Sequence, residues 1–181
     1  MIPKLNPLNA HSVLKGGCII IYPTEGIYGI GCDALNQNSV NKVVTIKGRD
    51  AGKSFIIICS DVIQLNNIID QEYMCYRELL AKDFITWIVP AHKECPTWLT
   101  MKNTVAVRIT NHPVIDNLCK ALNGPIISTS ANYSDHSYIN DIKKIEALFD
   151  KKVDYIVEGE LGAEVKSSTI KNIVTKEILR K

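Results

Sequence analysis

Residues 125–132 have the sequence PIISTSAN, in which an apolar run gives way to hydroxyl groups and an amide. The apolar part, 125–127, predicts a buried strand, because near-continuous apolar runs are typical of sheets that are covered on both faces. Similar runs recur at 18–22, 55–59 and 104–109, and they alternate with stretches of helical periodicity. The pattern indicates an α/β fold.

Helical and strand periodicities place the remaining elements. The predicted helices are 8–15, 39–46, 72–80, 114–122 and 141–149, and the predicted strands are 18–22, 55–59, 86–89, 104–109, 125–127, 153–157, 169–174 and 177–179. The glycines at 26, 29 and 31 are expected to form a turn after the first strand. Ser39 is a suitable N-cap for the second helix, and Gly48 suits the left-handed position just past its end. The two closely spaced final strands can pair antiparallel, so we expect a mixed sheet.

Length and composition indicate one domain over residues 1–181, because this length and a hydrophobic content of 46% suit a single core. The net charge of +2 is too small to demand a nucleic-acid partner. No apolar run has the roughly 18 to 20 residues that span a bilayer, and the first residues lack the apolar region of a signal peptide, so we expect a cytoplasmic location. The six cysteines are expected to be reduced. His92 and Cys95 lack a second pair at zinc-finger spacing, so no structural metal is expected.

Two polar segments are suited to holding an anion. Lys47-Gly48-Arg49 follows a helix that is expected to point Lys47 outward, and 128–132 follows a buried strand. Lysine and arginine offer phosphate two donor geometries, and hydroxyls add neutral donors. Alone, the two cations are more typical of a solvated helix end, whereas the two segments together favour the handling of a nucleotide phosphate. The glycines have the order GxxGxG rather than GxGxxG, and no Walker A loop is present, so two common nucleotide-binding motifs are absent.

Arg108 is the second candidate for anion binding. It shares a face of its strand with Ala106, away from the larger apolar residues of the same strand. A charge at the end of a sheet needs a partner, which can equally be a structural carboxylate or the carboxylate of a ligand. A serine nucleophile within 128–132 is disfavoured, because G-x-S-x-G is missing and no histidine is tied to the segment by spacing.

Six stretches, taken in chain order, resemble the YrdC-like family and in particular its short bacterial threonylcarbamoyl-AMP synthase (TsaC-type) branch. They are 22–33 (YPTEGIYGIGCD), 47–49 (KGR), 105–108 (VAVR), 112–113 (HP), 128–132 (STSAN) and 168–170 (STI). One such motif is weak evidence, but the ordered set spans nearly the whole chain. It includes the family's KxR and SxN signature, as Lys47 with Arg49 and Ser130 with Asn132.

The resemblance implies a single-domain α/β fold in which a twisted mixed sheet with flanking helices encloses a deep, concave, basic cavity. It implies that ATP, L-threonine and bicarbonate or CO2 react to give L-threonylcarbamoyl-AMP and pyrophosphate. The product would serve the formation of N6-threonylcarbamoyladenosine at position 37 of tRNAs that read ANN codons. TsaD-, TsaB- and TsaE-type proteins would transfer the group to tRNA, and Mg²⁺ would arrive on the ATP phosphates rather than in a site built by the protein.

The resemblance also assigns roles to individual residues. By position in the family pattern, ATP would be bound by Lys47, Arg49, Thr104, Ser130, Asn132 and Arg180, and threonine by Thr24, Arg108, Ser128 and Thr169. Arg108 would hold the threonine carboxylate. Lys47 and Arg49 would be catalytic, because two anions must meet as the carbamate attacks the α-phosphorus, and cations reduce their repulsion.

Three positions depart from the family pattern. Residues 82–84 (KDF) stand where Pro-Gly-Pro is common, and Asp50 and Asp135 stand where proline and glycine are usual. Two other functions remain open. One is a non-catalytic protein of RNA binding or ribosome maturation that holds tRNA or double-stranded RNA on the same basic surface, and the other is a carbamoyltransferase that uses carbamoyl phosphate.

Overall fold

The fold is described from a computed structural model, which covers residues 1–48, 55–134, 136–164 and 166–181. The strands are β1 (Lys4–Leu5), β2 (Ile20–Pro23), β3 (Tyr28–Gly31), β4 (Ile56–Cys59), β5 (Ile85–Pro90), β6 (Thr104–Ile109), β7 (Ile126–Ser130), β8 (Tyr155–Val157), β9 (Thr169–Asn172) and β10 (Ile178–Arg180). The α-helices are α1 (Ala10–Lys15), α2 (Gln37–Lys47), α3 (Arg77–Leu80), α4 (Pro113–Leu122) and α5 (Ile142–Phe149). Short 3-10 helices lie at Pro7–Asn9, Val62–Leu65, Gln71–Tyr73 and Thr97–Leu99.

The described strands form one sheet in the order β1-β8-β2-β3-β7-β4-β6-β5-β9-β10. The strand pairs β1–β8, β2–β8, β4–β6 and β5–β9 are parallel, and the other neighbours are antiparallel. The last pair, β9 with β10, is the antiparallel pair that the sequence predicted. The α/β class and the mixed sheet are therefore confirmed.

Both faces of the sheet carry apolar clusters. Ile127 packs in the larger cluster, which includes Val43 of α2 and Phe149 of α5. Its neighbour Ile126 packs in the second cluster, with Leu118 of α4. Because successive side chains of a strand point to opposite faces, a strand that is buried on both sides needs the unbroken apolar run seen in the sequence.

The glycine-rich segment contains the predicted turn, as a bend at residues 25–27, but it continues as a strand that includes Gly29 and Gly31. It forms β3, which pairs antiparallel with β2 and with β7. A Cβ at Gly31 would lie 1.9 Å from the carbonyl oxygen of Ile127, so the close approach of β3 and β7 requires glycine there. The predicted strand 125–127 also ends too early, because pairing with β3 extends β7 through Ser130.

Two helices differ from their predictions at identifiable residues. Asn36, rather than Ser39, caps α2, and its side chain accepts a hydrogen bond from the Ser39 amide at 3.1 Å. Gly48 has φ 56° and ψ 42°, which confirms the predicted left-handed C-cap. The predicted helix 72–80 is interrupted because Tyr76 has extended backbone dihedrals, which leaves a 3-10 turn and the short α3.

Candidate active site

A cavity of about 340 Å³ lies against the middle of the sheet. Its described lining comes from one sheet face and from nearby loops: Thr24, Ile27, Gly29, Ile56, Ile58, Phe84, Ile88, Met101, Ala106, Arg108, Ser128, Thr129, Ser130, Tyr138, Ser167, Ser168, Ile170, Leu179 and Arg180. Arg108 and Arg180 are the charged residues among them. A cavity with two cations and several hydroxyls is suited to an anionic ligand.

Lys47 joins the two polar segments that the sequence singled out. Its side chain is buried, with 2% of the residue exposed, so the prediction that it points outward was wrong. The ammonium Nζ donates to the Ser130 carbonyl at 2.6 Å and to Asn132 Oδ1 at 3.0 Å, and it also contacts the Asn132 carbonyl. Because α2 ends beside the end of β7, these oxygens replace the water that a solvated helix end would have.

Asn132 organises the end of β7 from the other side. Its Oδ1 accepts a hydrogen bond from Ser130 Oγ at 2.6 Å, and its Nδ2 donates to the carbonyl groups of His136 and Ser137. Ser130 lines the cavity, whereas Lys47 and Asn132 are not among the residues described as lining it. Lys47 and Asn132 therefore fix the geometry of the polar strand end from behind.

Arg108 has a structural carboxylate as its partner. Its Nη2 lies 3.1 Å from Oε2 of Glu25, and its guanidinium carbon lies 5.0 Å from the centre of the Phe84 ring. Burial lowers the pKa of Arg108, and the charge of Glu25 opposes that shift. The sequence left a structural and a ligand carboxylate equally open. The structural pair is present, and Arg108 also lines the cavity.

The other predicted site residues fall into two groups. Thr24, Ser128 and Arg180 line the cavity, and Arg180 Nη2 donates to the Ser168 carbonyl at 2.8 Å. Thr104 and Thr169 lie at the first positions of β6 and β9 and are not among the described lining residues. Arg49 lies outside the described residues, as do the departures at Asp50 and Asp135.

Sequence reasoning missed Glu25 and Phe84. Glu25 directly follows Thr24 in the stretch 22–33, and that position was the available signal. Phe84 ends the departure at 82–84, where Lys82 has φ 57° and donates to the Ser60 carbonyl at 2.9 Å. The altered segment therefore places an aromatic ring over Arg108.

The described residues contain no group of three or more His, Cys, Asp or Glu side chains that could hold a metal ion. His92 Nδ1 instead accepts a hydrogen bond from the Glu94 amide at 3.2 Å. Within the same part of the chain, no helix has both the length and the apolar character required to cross a membrane.

The comparison with protein families matches nearly the whole chain to one family model. The model of the Sua5/YciO/YrdC family, described as "Telomere recombination", matches residues 12–181. The chain belongs to this family. The resemblance inferred from the six sequence stretches is thereby confirmed.

Curated relatives within the Sua5/YciO/YrdC family match almost end to end. A threonylcarbamoyl-AMP synthase of Coxiella burnetii (strain RSA 493 / Nine Mile phase I) is 38% identical over 179 residues, which cover 95% of each chain. A threonylcarbamoyl-AMP synthase of Pseudomonas aeruginosa (strain UCBPP-PA14) is 33% identical over 184 residues, which cover 99% of each.

Solved structures of the family share the fold. The P. abyssi Sua5 structure complexed with L-threonine has a TM-score of 0.83 and 26% identity; the match covers 96% of this chain and 54% of the Sua5 chain. The present chain therefore spans about half of that protein. E. coli YciO also has a TM-score of 0.83, at 23% identity, with 100% and 95% of the two chains covered, and it supports the fold alone.

Proposed function

We propose that this chain is a nucleotidyl-transferring enzyme that makes L-threonylcarbamoyl-AMP and pyrophosphate from ATP, L-threonine and bicarbonate or CO2. The observation that carries the proposal is a single cavity lined by Arg108, Thr24 and the hydroxyl groups of β7. Behind this lining, Lys47 donates a hydrogen bond to the Ser130 carbonyl at the end of β7. In this proposal the carboxylate-binding and phosphate-binding groups line one cavity. The names of the curated relatives and the threonine-bound Sua5 structure support the proposed activity.

The threonine end of the proposed site is the buried Arg108 end. A guanidinium binds a carboxylate through two parallel hydrogen bonds, and a nearly dry site strengthens them. Thr24 and Ser128 line the same cavity and can add neutral hydrogen bonds. Thr169, the fourth residue assigned to threonine, lies next to the lining residue Ser168.

The ATP end of the proposed site is the end of β7, together with Arg180 of β10. The Ser130 hydroxyl and the Arg180 guanidinium can bind phosphate oxygens, and Asn132 holds Ser130 through the 2.6 Å hydrogen bond. Thr104 and Arg49 complete the proposed ATP-binding set. Mg²⁺ enters this proposal as part of the ATP substrate and is coordinated by phosphate oxygens.

In the proposed step, an oxygen of the threonine carbamate attacks the α-phosphorus of ATP. A new P–O bond forms, and the bond to the bridging oxygen breaks, so that pyrophosphate leaves with the electron pair. Both reactants are anions, and the positive charges of Lys47 and Arg49 reduce their repulsion as they approach. Lys47 also keeps the polar end of β7 in place during the step.

The proposed product carries an activated carbamoyl group, so a second protein must transfer it to its acceptor. We assign this transfer to TsaD-, TsaB- and TsaE-type partners and the acceptor to tRNA, where position 37 becomes N6-threonylcarbamoyladenosine. This reaction belongs in the cytoplasm, where ATP and tRNA are available. An RNA-binding function without catalysis is less well supported, because Arg108 is 4% exposed and paired with Glu25, which leaves it poorly placed for an RNA backbone.

The decisive test is pyrophosphate release by the purified protein. ATP, L-threonine and bicarbonate are supplied together, and then L-threonine or bicarbonate is omitted in turn. The nucleotide product is identified by rapid mass spectrometry. We expect release only with all three substrates and a product with the mass of threonylcarbamoyl-AMP. Folded protein that releases no pyrophosphate in response to threonine would refute the proposal. In a parallel assay with carbamoyl phosphate, turnover without threonine would indicate a carbamoyltransferase instead.

A further inference from the structure

The guanidinium of Arg108 is held on two sides, by Phe84, which lines the cavity, and by Glu25, which is not among the described lining residues. Glu25 Oε2 lies 3.1 Å from Nη2, and the Phe84 ring lies against the guanidinium at 5.0 Å. Within the described part of the chain, Arg108 Nε is buried and has no hydrogen-bond partner. A buried donor without an acceptor is costly, so this nitrogen is suited to an acceptor supplied by a ligand.

Glu25 is itself held by a short chain of hydrogen bonds. The Oε1 of Glu25 lies 2.6 Å from Thr110 Oγ1. Thr110 Oγ1 in turn accepts a hydrogen bond from the His112 amide at 3.0 Å. An amide N–H can only donate, so the hydroxyl hydrogen of Thr110 remains available for Glu25. The direction of both hydrogen bonds is thereby fixed.

Glu25 acts on the cavity indirectly, through its ion pair with the lining residue Arg108. It is not among the described residues that line the cavity, and its Oε2, which is buried and has no hydrogen-bond partner among the described residues, contacts Arg108 as an ion pair. Its backbone is fixed as well, because its carbonyl accepts a hydrogen bond from the Glu164 amide at 2.8 Å. The carboxylate is therefore attached to the scaffold at both its main chain and its side chain.

We propose that Glu25, anchored by Thr110, is a positioning residue that fixes the Arg108 guanidinium before a carboxylate-bearing substrate binds. The inference rests on the proposed function, in which Arg108 binds the carboxylate of threonine. A long side chain that is free to rotate must be ordered when the ligand binds, and that cost lowers affinity. Two-point recognition of a carboxylate also depends on the orientation of the guanidinium plane.

The test separates the anchoring hydroxyl from the charge of Glu25. Thr110→Val removes the hydroxyl but keeps the side-chain shape and the carboxylate, whereas Thr110→Ser keeps the hydroxyl. We expect Thr110→Val to raise the KM for L-threonine about 3- to 10-fold, the equivalent of ordering one long side chain, with kcat and the KM for ATP changed by less than about twofold. Thr110→Ser should behave like the wild type. Thr97→Val, at an exposed threonine, is the matched control and should change none of the three constants.

Glu25→Asp is the second variant, in case Thr110→Val folds poorly. It keeps the charge but is one methylene shorter, so it cannot reach Thr110 and Arg108 together, and we expect the same selective rise in KM. Binding of L-threonine is also measured by calorimetry. A folded Thr110→Val or Glu25→Asp protein with the wild-type KM and affinity for threonine would overturn this inference alone. A wild-type protein that neither binds nor consumes L-threonine would overturn the proposed function and this inference together.

Discussion

Replacement of Lys47 by methionine removes a buried ammonium while keeping a side chain of similar length. The ammonium lies 2.6 Å from the Ser130 carbonyl oxygen and 3.0 Å from Asn132 Oδ1, and it also contacts the Asn132 carbonyl. Methionine has no hydrogen to donate, so these oxygens lose a charged donor. Asn132 Oδ1 keeps the Ser130 hydroxyl as a donor, and the Ser130 carbonyl keeps the Asn132 amide at 2.9 Å, so the Asn132 carbonyl is the main loss.

The size of the effect follows from these contacts. The Asn132 carbonyl loses its charged donor at a cost of about 1–3 kcal/mol, and the loss of one of two donors at the other oxygens adds about 1 kcal/mol. The variant no longer needs to desolvate an ammonium, which offsets part of this cost. We expect a net loss of about 2 kcal/mol, which for a chain of this size lowers Tm by about 4–8 °C. Pyrophosphate release should fall by roughly 10²–10³-fold, because the proposed step loses one of its two cations and the end of β7 loses the side chain that holds it.

Calorimetry and the pyrophosphate assay measure the two effects separately. Lys120→Met is the matched control, because Lys120 is exposed and forms a surface ion pair with Asp116 at 2.7 Å. Such a pair contributes about 0–1 kcal/mol, so the control should melt within about 3 °C of the wild type and keep its activity. A Lys47→Met protein with unchanged Tm would refute the claim that the buried hydrogen bonds of Lys47 stabilise the fold. One that melts early but keeps the wild-type rate per folded molecule would show that Lys47 is structural only.

Three other substitutions test separate parts of the molecule. Arg108→Lys keeps a positive charge but loses the planar fork, so the KM for L-threonine should rise about 10- to 100-fold with little change in the KM for ATP; equal rises in both would contradict carboxylate binding by Arg108. The pKa of His112 is lowered, mainly by burial. As pH falls from about 7 to about 5, His112 is therefore protonated in the unfolded chain before it is protonated in the folded chain, and the protein loses stability. His112→Gln should therefore lose less Tm than the wild type over that range, and parallel Tm curves would argue against the shift. Gly31→Ala places a Cβ 1.9 Å from the Ile127 carbonyl oxygen and should destabilise the protein by about 1–3 kcal/mol or more in urea unfolding, whereas Gly124→Ala, whose Cβ would be 3.9 Å from its nearest neighbour, should cost little or nothing.

The elements that could be predicted from sequence are those with a local physical cause. The strand at 104–109 and the helix that begins at Pro113 have clear periodicity and boundary residues, and both are present as predicted or within one residue. Strand β3 has no such signal, because its glycines are needed for close packing against β7 rather than for a turn. Local sequence contains no information about the approach of a strand from a distant part of the chain.

The same limit applies to the charges. A lysine in the last turn of a helix is usually solvated, and nothing in the local sequence around Lys47 indicates that the end of β7 lies against it. Likewise, Glu25 and Arg108 are far apart in the chain, so their ion pair follows from the fold and not from spacing. The KxR and SxN signature predicted that these segments act together, but the contact between Lys47 and Asn132 is visible only in three dimensions.

Strand β4 determines how the two ends of the proposed site are placed, although it carries no functional group. Ile56 pairs with Ser128 of β7, and Ile58 pairs with Arg108 of β6, and both isoleucines line the cavity. With strands about 4.8 Å apart and a rise of about 3.3 Å per residue, the Cα atoms of Ser128 and Arg108 are roughly 12 Å apart across β4. A one-residue shift of either register would turn a polar side chain to the opposite, apolar face. The apolar residues of β4 thus set the spacing between the proposed carboxylate-binding and phosphate-binding groups. The register of β4 with β6 and β7, rather than the identity of the polar residues, places both groups in the same cavity.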